Sequence, residues 1–263
     1  MFNYPYLVEL LTPKRSTDDQ KEALLDRFTE RYRRIIDAGC GVSIPDNPMG
    51  QPRLSALESF DFRGLSVDSE KIVMNLNTFH SKNELDGLFQ RALGANLKYI
   101  LVVRGDGGPL LSKLDSKSIG GNKSVATSID LIRYINMEYG DQFITGAAYN
   151  PYKPISFELN RMEQKIEAGA KYAVTQPIIG KDQSVEALMK LNIKVVVEAW
   201  MSKNIDLLFK SVGREKDEKA KAFDPVANLK ALHECYPDSC VYLSMLGFKQ
   251  DWKDILPKLS NQI

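Results

Sequence analysis

Three apolar runs in this chain break on a polar side chain: Val8-Glu9-Leu10, Leu101-Val102-Val103-Arg104-Gly105-Asp106, and Tyr172-Ala173-Val174-Thr175-Gln176. Glu9 is an acid inside an apolar stretch, with Tyr6-Leu7-Val8 before it and Leu10-Leu11 after. A carboxyl buried there must be paired or must hold its proton above the ordinary range. In the second case it can serve as a general acid near neutral pH. Asp106 follows Arg104-Gly105 and precedes Gly107-Gly108. It reads either as a turn residue or as an ionised carboxylate at a pocket mouth, where the glycines let a ligand approach the backbone. Gln176 carries donor and acceptor on one planar amide, which suits the edge of a heterocycle with an amide-like pattern. An exposed edge or a structural ion pair would also explain any one of these acids.

For such residues to meet, strands distant in sequence must deliver them to one place. The chain alternates strand-like and helix-like segments. Strands are expected at Tyr6–Leu11, Cys40–Ile44, Lys71–Asn77, Tyr99–Val103, Phe143–Tyr149, Tyr172–Gln176, Val195–Ala199 and Val241–Met245. Several are unbroken apolar runs, as in a parallel sheet buried on both faces. Helices are expected at Asp18–Asp37, around Leu54–Phe60, from a Ser81 cap with Glu84 to Leu93, and at Val125–Glu138 and Ser156–Glu167. Further helices follow at Ser184–Leu191, Asn204–Val212, Pro225–Cys235 and Asp251–Leu259. Between Gly107 and Lys123 lies a long Gly-, Ser-, Asp- and Lys-rich loop. Eight strands each followed by helix point to a (β/α)8 TIM barrel, whose chemistry gathers at the C-terminal ends of the strands. The rival is a doubly wound open sheet, but no G-x-G-x-x-G follows the first strand.

The 263 residues suit one such domain spanning 1–263. A formal charge of +1, from 35 basic and 34 acidic residues, gives no global attraction to nucleic acid or to an anionic membrane. The mixed charge run from Gly213 to Ala222 reads as a solvated loop or helix end. Three cysteines, Cys40, Cys235 and Cys240, make no disulfide framework, and no apolar run is long enough to span a bilayer. A reduced, cytoplasmic protein is the expectation. His233 near Cys235 and Cys240 is too small a set for a structural zinc site, so no metal is expected. His80 reads as a solvated loop residue, and Trp200 and Phe223 as core residues that could instead stack on an aromatic ligand. Nucleophile elbow, Walker A and H-E-x-x-H motifs are absent.

Leu7-Val8-Glu9-Leu10-Leu11-Thr12-Pro13-Lys14, Val42-Ser43-Ile44-Pro45-Asp46-Asn47, Val103-Arg104-Gly105-Asp106, Ala147-Ala148-Tyr149 and the run from Lys165 to Gln176 together resemble methylenetetrahydrofolate reductases. The likeness reaches to about Ile179. It implies a (β/α)8 barrel that reduces the methylene bridge of 5,10-methylenetetrahydrofolate to a methyl group. It implies Glu9 as the acid that helps open the folate ring to an iminium ion. Asp106 would hold the pterin and stabilise that cation, and Gln176 would bind the pterin edge. It also implies FAD, reduced by NADH or NADPH, with Asn75, Arg104, Gly105, Asp106, Ala148, Tyr149 and Lys165 as positions that hold it.

The flavin positions depart from the family pattern. Pro45 stands where the family has Thr, Asn75 where it has His, and Gln164 where it has Arg, and a family His after Tyr149 has no counterpart. Hydride direct from NAD(P)H is therefore the rival to the flavin route. A second function is a folate-binding subunit without redox activity of its own, working with a partner protein. A homo-oligomer is compatible with either.

Overall fold

The computed structural model describes residues 2–15, 18–109, 111–215 and 223–259. Leu110 of the long loop and residues 216–222 of the mixed charge run lie outside them. The apolar runs form eight parallel strands: β1 (Tyr6–Glu9), β2 (Gly41–Ile44), β3 (Ile72–Leu76), β4 (Tyr99–Val102), β5 (Ile144–Tyr149), β6 (Tyr172–Pro177), β7 (Lys194–Trp200) and β8 (Val241–Ser244). They pair in chain order, and β8 closes on β1 through Tyr6↔Val241 to Val8↔Leu243. The sheet is the closed barrel of a (β/α)8 fold.

Helices α1 (Asp18–Asp37), α2 (Ala56–Asp61), α3 (Lys82–Gly94), α4 (Ser128–Tyr139), α5 (Ile155–Glu167) and α6 (Gln183–Leu188) each link one strand to the next. Between β7 and β8 lie α7 (Ile205–Ser211) and α8 (Pro225–Cys235), and α9 (Trp252–Ile255) follows β8. Ser81 and Glu84 form the expected capping box on α3. Two more occur at Ser55–Glu58 on α2 and Thr127–Asp130 on α4, so α4 starts after Thr127 rather than at Val125. The last helix is one turn instead of the expected run to Leu259. Leu256 precedes Pro257, whose ring disfavours helical geometry in the residue before it, and Leu256 is extended. The loop from Gly107 to Lys123 contains a 3-10 turn at Ser116–Ile119, capped by Asp115. No described helix is long and apolar enough to cross a membrane.

Strand side chains alternate between two apolar layers. One set, including Tyr6, Val8, Val42, Ile44, Ile72, Met74, Ala147, Tyr149, Val197 and Leu243, packs with the surrounding helices. The other fills the barrel: Tyr4, Leu7, Val73, Tyr99, Leu101, Tyr172, Val174, Val196, Cys240 and Tyr242. At the N-terminal end Phe2 packs on Tyr4, Tyr99 and Tyr172, with ring centroids 5.1–5.7 Å apart. Gly41 and Gly146 make room for these rings. A methyl group at either would stand 2.3 Å from the Tyr4 ring or 2.2 Å from the Tyr172 ring.

Candidate active site

The inward alternation that places Leu7, Val73, Val174, Val196 and Cys240 in the barrel continues one step further along each strand. It then delivers Glu9, Ser43, Asn75, Ala148, Gln176, Glu198 and Tyr242 to the C-terminal half. Register sets Glu9 opposite Ser43 and Glu198 opposite Tyr242. Where the lower barrel is aromatic and aliphatic, this layer is polar.

Glu9 is its best-defined member. The Tyr242 hydroxyl donates to Glu9 Oε1 at 3.2 Å. Burial pushes the Glu9 carboxyl above the ordinary carboxylate range; Tyr242, the Met245 N–H and the charge of Arg53 offset only part of that. Burial also pushes the Glu198 carboxyl up, with the Ser244 hydroxyl opposing and the charge of Glu9 adding to the rise. Glu9 and Glu198 interact across the mouth, so they titrate as a pair. Ser43 donates to Asn75 Oδ1 at 2.9 Å. Gln176 Oε1 is buried and finds no hydrogen-bond partner among the described residues.

Glu198, Tyr242 and Arg53 were not anticipated. Glu198 carried the same signal as Glu9, an acid within an apolar strand, Val195-Val196-Val197-Glu198-Ala199. Tyr242 stands between Val241 and Leu243 and carries no polar signal of its own. Arg53 carried no signal, because a loop brings it to the site. Its N–H donates to Asn47 Oδ1 at 2.8 Å, its guanidinium donates to the Thr12 carbonyl, and a bridge to Lys14 ties the loops after β1 and β2 together.

Asp106 lies at the rim. It is exposed, and its carboxylate accepts the Met49 N–H at 2.9 Å, joining the loops after β2 and β4. Arg104 is exposed beside it. Gly105 sits against Asn77 and Phe79, where a side chain would clash, so its lack of one serves loop packing. Gly107 and Gly108 do likewise: Gly107 lies against Phe79, and Gly108 meets the backbone of Gly50.

Two positions expected to hold a flavin are turned away. Tyr149 belongs to the outward set; it is fully buried, with its hydroxyl 2.6 Å from Ser184 Oγ and 3.1 Å from Ser184 O. Lys165 is 4% exposed, donates to the Ala148 carbonyl at 2.6 Å and lies 3.8 Å from Glu158. Burial lowers the pKa of its ammonium, with the Glu158 charge opposing. Of the pair Ala148-Tyr149, only Ala148 faces the barrel.

His80 is not a solvated loop residue. Its Nε2 is 2.6 Å from Asp46 Oδ2, which also accepts the Asn77 N–H at 3.0 Å. Burial alone would depress this histidine, but the hydrogen bond and charge of Asp46 outweigh it and raise its pKa. His233 lies 2.9 Å from the Tyr6 hydroxyl, while Cys235 is exposed and Cys240 faces the barrel interior. Among the described residues no His, Cys, Asp and Glu cluster could hold a metal ion. Trp200 is buried and donates its indole N–H to Asn204 O at 3.2 Å, the geometry of a packed residue.

Comparison with known proteins gives this layer a setting. "Methylenetetrahydrofolate reductase 1" of Schizosaccharomyces pombe is 28% identical over 215 residues, covering 75% of this chain and 34% of that protein. "Methylenetetrahydrofolate reductase 2" of Saccharomyces cerevisiae is 30% identical over 108 residues, 38% of this chain and 17% of that protein. The chain therefore spans about a third or less of the length of these relatives. Among solved structures, a Yersinia pestis dihydropteroate synthase in complex with a sulfonamide drug shares the fold. Its TM-score is 0.53 at 13% identity, over 98% of this chain and 92% of that one. The model of the methylenetetrahydrofolate reductase family matches residues 6–201, from the first strand to the end of the seventh, and the chain belongs to that family.

Proposed function

We propose that this chain reduces 5,10-methylenetetrahydrofolate to 5-methyltetrahydrofolate by hydride transfer. The observation that carries the reading is Glu9 itself, set inward at the C-terminal end of β1 and accepting the Tyr242 hydroxyl at 3.2 Å in a barrel that the family matches, with burial pushing its pKa up. Opening the folate's five-membered ring needs a proton on the departing nitrogen, and an acid that keeps its proton near neutral pH supplies it. Loss of that nitrogen leaves an iminium ion, and hydride added to its methylene carbon makes the methyl group. One proton and one hydride are consumed, and the donor is oxidised by two electrons. Gln176, with a buried amide oxygen that finds no partner among the described residues, supports a role in holding the pterin edge. Asp106 would act from the rim, as a negative charge facing the developing cation.

Three of the residues expected to hold a flavin are engaged elsewhere: Lys165 with Ala148 and Glu158, Tyr149 with Ser184, and Asn75 Oδ1 with Ser43. A nicotinamide cofactor carries a diphosphate too, so these contacts argue only against the expected flavin positions, and direct hydride transfer from NADH or NADPH is the reading put to the test. The absorbance spectrum of purified protein, before and after FAD is added, tests this: a flavin band that survives gel filtration rejects it. An air-free assay with NADH or NADPH and methylenetetrahydrofolate should then show turnover without flavin.

The altered flavin positions Pro45, Asn75 and Gln164 favour a second reading, a folate-binding subunit that needs a partner. Tight folate binding, with turnover only after another protein is added, would select it.

A further inference from the structure

Glu9 does not hold its position alone. Tyr242 is 5% exposed and its ring belongs to the apolar fill of the barrel, yet its hydroxyl emerges in the polar layer. The Tyr242 hydroxyl donates to Glu9 Oε1 at 3.2 Å, while the nearby Ser43 hydroxyl donates to Asn75 Oδ1. Just past β8, Met245 adopts a left-handed backbone (φ 58°), uncommon for a residue with a side chain, and aims its N–H at the same carboxyl.

We propose that Tyr242 is a positioning residue for proton transfer: it grips Oε1 of Glu9, fixes the rotamer of the carboxyl, and leaves Oε2 to carry the proton that substrate receives. This inference rests on the reading of Glu9 as the acid. The groups facing Glu9 are Tyr242 and the Met245 N–H from the β8 side, Glu198 from β7, and Arg53 from the loop after β2. Facing Tyr242 are Glu9, Glu198 and Ser43. Burial and the two carboxyls raise the tyrosine's own pKa, so it stays a donor throughout the working range. A donor to a carboxylate favours the ionised form. Tyr242 therefore draws the acidity of Glu9 back towards a useful value, against burial that would make it hold its proton too tightly.

The test is Tyr242→Phe, which keeps the ring in the core and removes only the hydroxyl. The alkaline limb of kcat should move up by about one pH unit, and kcat near neutrality should fall about tenfold with little change in KM for folate. Without substrate, the infrared band of the protonated Glu9 carboxyl, assigned by its loss in Glu9→Gln, should titrate at higher pH by the same amount. A ring-fluorinated tyrosine at 242, a stronger donor, should move both in the opposite direction, and it serves if the Phe variant does not fold. An unmoved limb and band, or a shift of the wrong sign, overturns the proposal. If Glu9→Gln still turns over normally, the assignment of Glu9 as the acid fails instead, and the infrared titration continues to judge Tyr242.

Discussion

At the N-terminal end of the barrel, Phe2, Tyr4, Tyr99 and Tyr172 form an aromatic plug. Further along the same strands stand Glu9, Ser43, Asn75, Gln176, Glu198 and Tyr242, a layer rich in protons and hydrogen-bonding groups. The strand geometry is the same in both places; only the inward side chains change. The lower layer earns stability from buried area. The upper layer gives some of that up, because buried carboxyls are costly unless protonated or paired. The contrast separates what holds this barrel closed from what it does.

Substitutions at each end should break different properties. The largest effect belongs to Glu9→Gln, which should lower methylenetetrahydrofolate reduction by about 10²–10⁴-fold while leaving the melting temperature nearly unchanged. Equal loss of stability would place Glu9 with the plug. Next comes Tyr172→Ala, expected to cost about 3–5 kcal/mol in urea unfolding with normal turnover per folded molecule. Lost turnover in the folded fraction would show that the two layers are not independent. A smaller effect is expected from Glu198→Gln. A carboxyl raised in the folded state contributes stability that is full below its unfolded value and lost as pH rises through the folded one. The variant should therefore lose less stability than the parent between mildly acidic and alkaline pH; parallel curves would contradict the raised value. The smallest is Tyr172→Phe. The Tyr172 hydroxyl is buried with no partner among the described residues, so removing it should stabilise the fold by about 1 kcal/mol, read as a higher urea midpoint.

Much of this division was legible in the chain. Apolar runs of four to seven residues marked all eight strands to within two residues at either end, and the Ser81–Glu84 box marked the start of α3. Period-two alternation puts Glu9 on the face of Leu7, Glu198 on that of Val196, and Tyr149 on that of Ala147. Which of the two faces points into the barrel was not legible, because these runs are apolar on both faces. Loops carry no such periodicity. That Arg53 reaches Glu9, that His80 meets Asp46, and that Asp106 clasps Met49 depend on how the loops after β1, β2, β3 and β4 fold over one another.

Gly50 and Gly107 show how tightly those loops fit. Both have a positive φ, and a methyl group at Gly50 would fall 1.6 Å from the Gly107 carbonyl oxygen. This part of the rim is backbone against backbone, with no side chain to trim or enlarge. Anyone seeking altered substrate scope by mutagenesis should leave residues 50, 107 and 108 untouched and diversify the opposite arc, after β6 to β8, where tolerance to new shapes should be greatest.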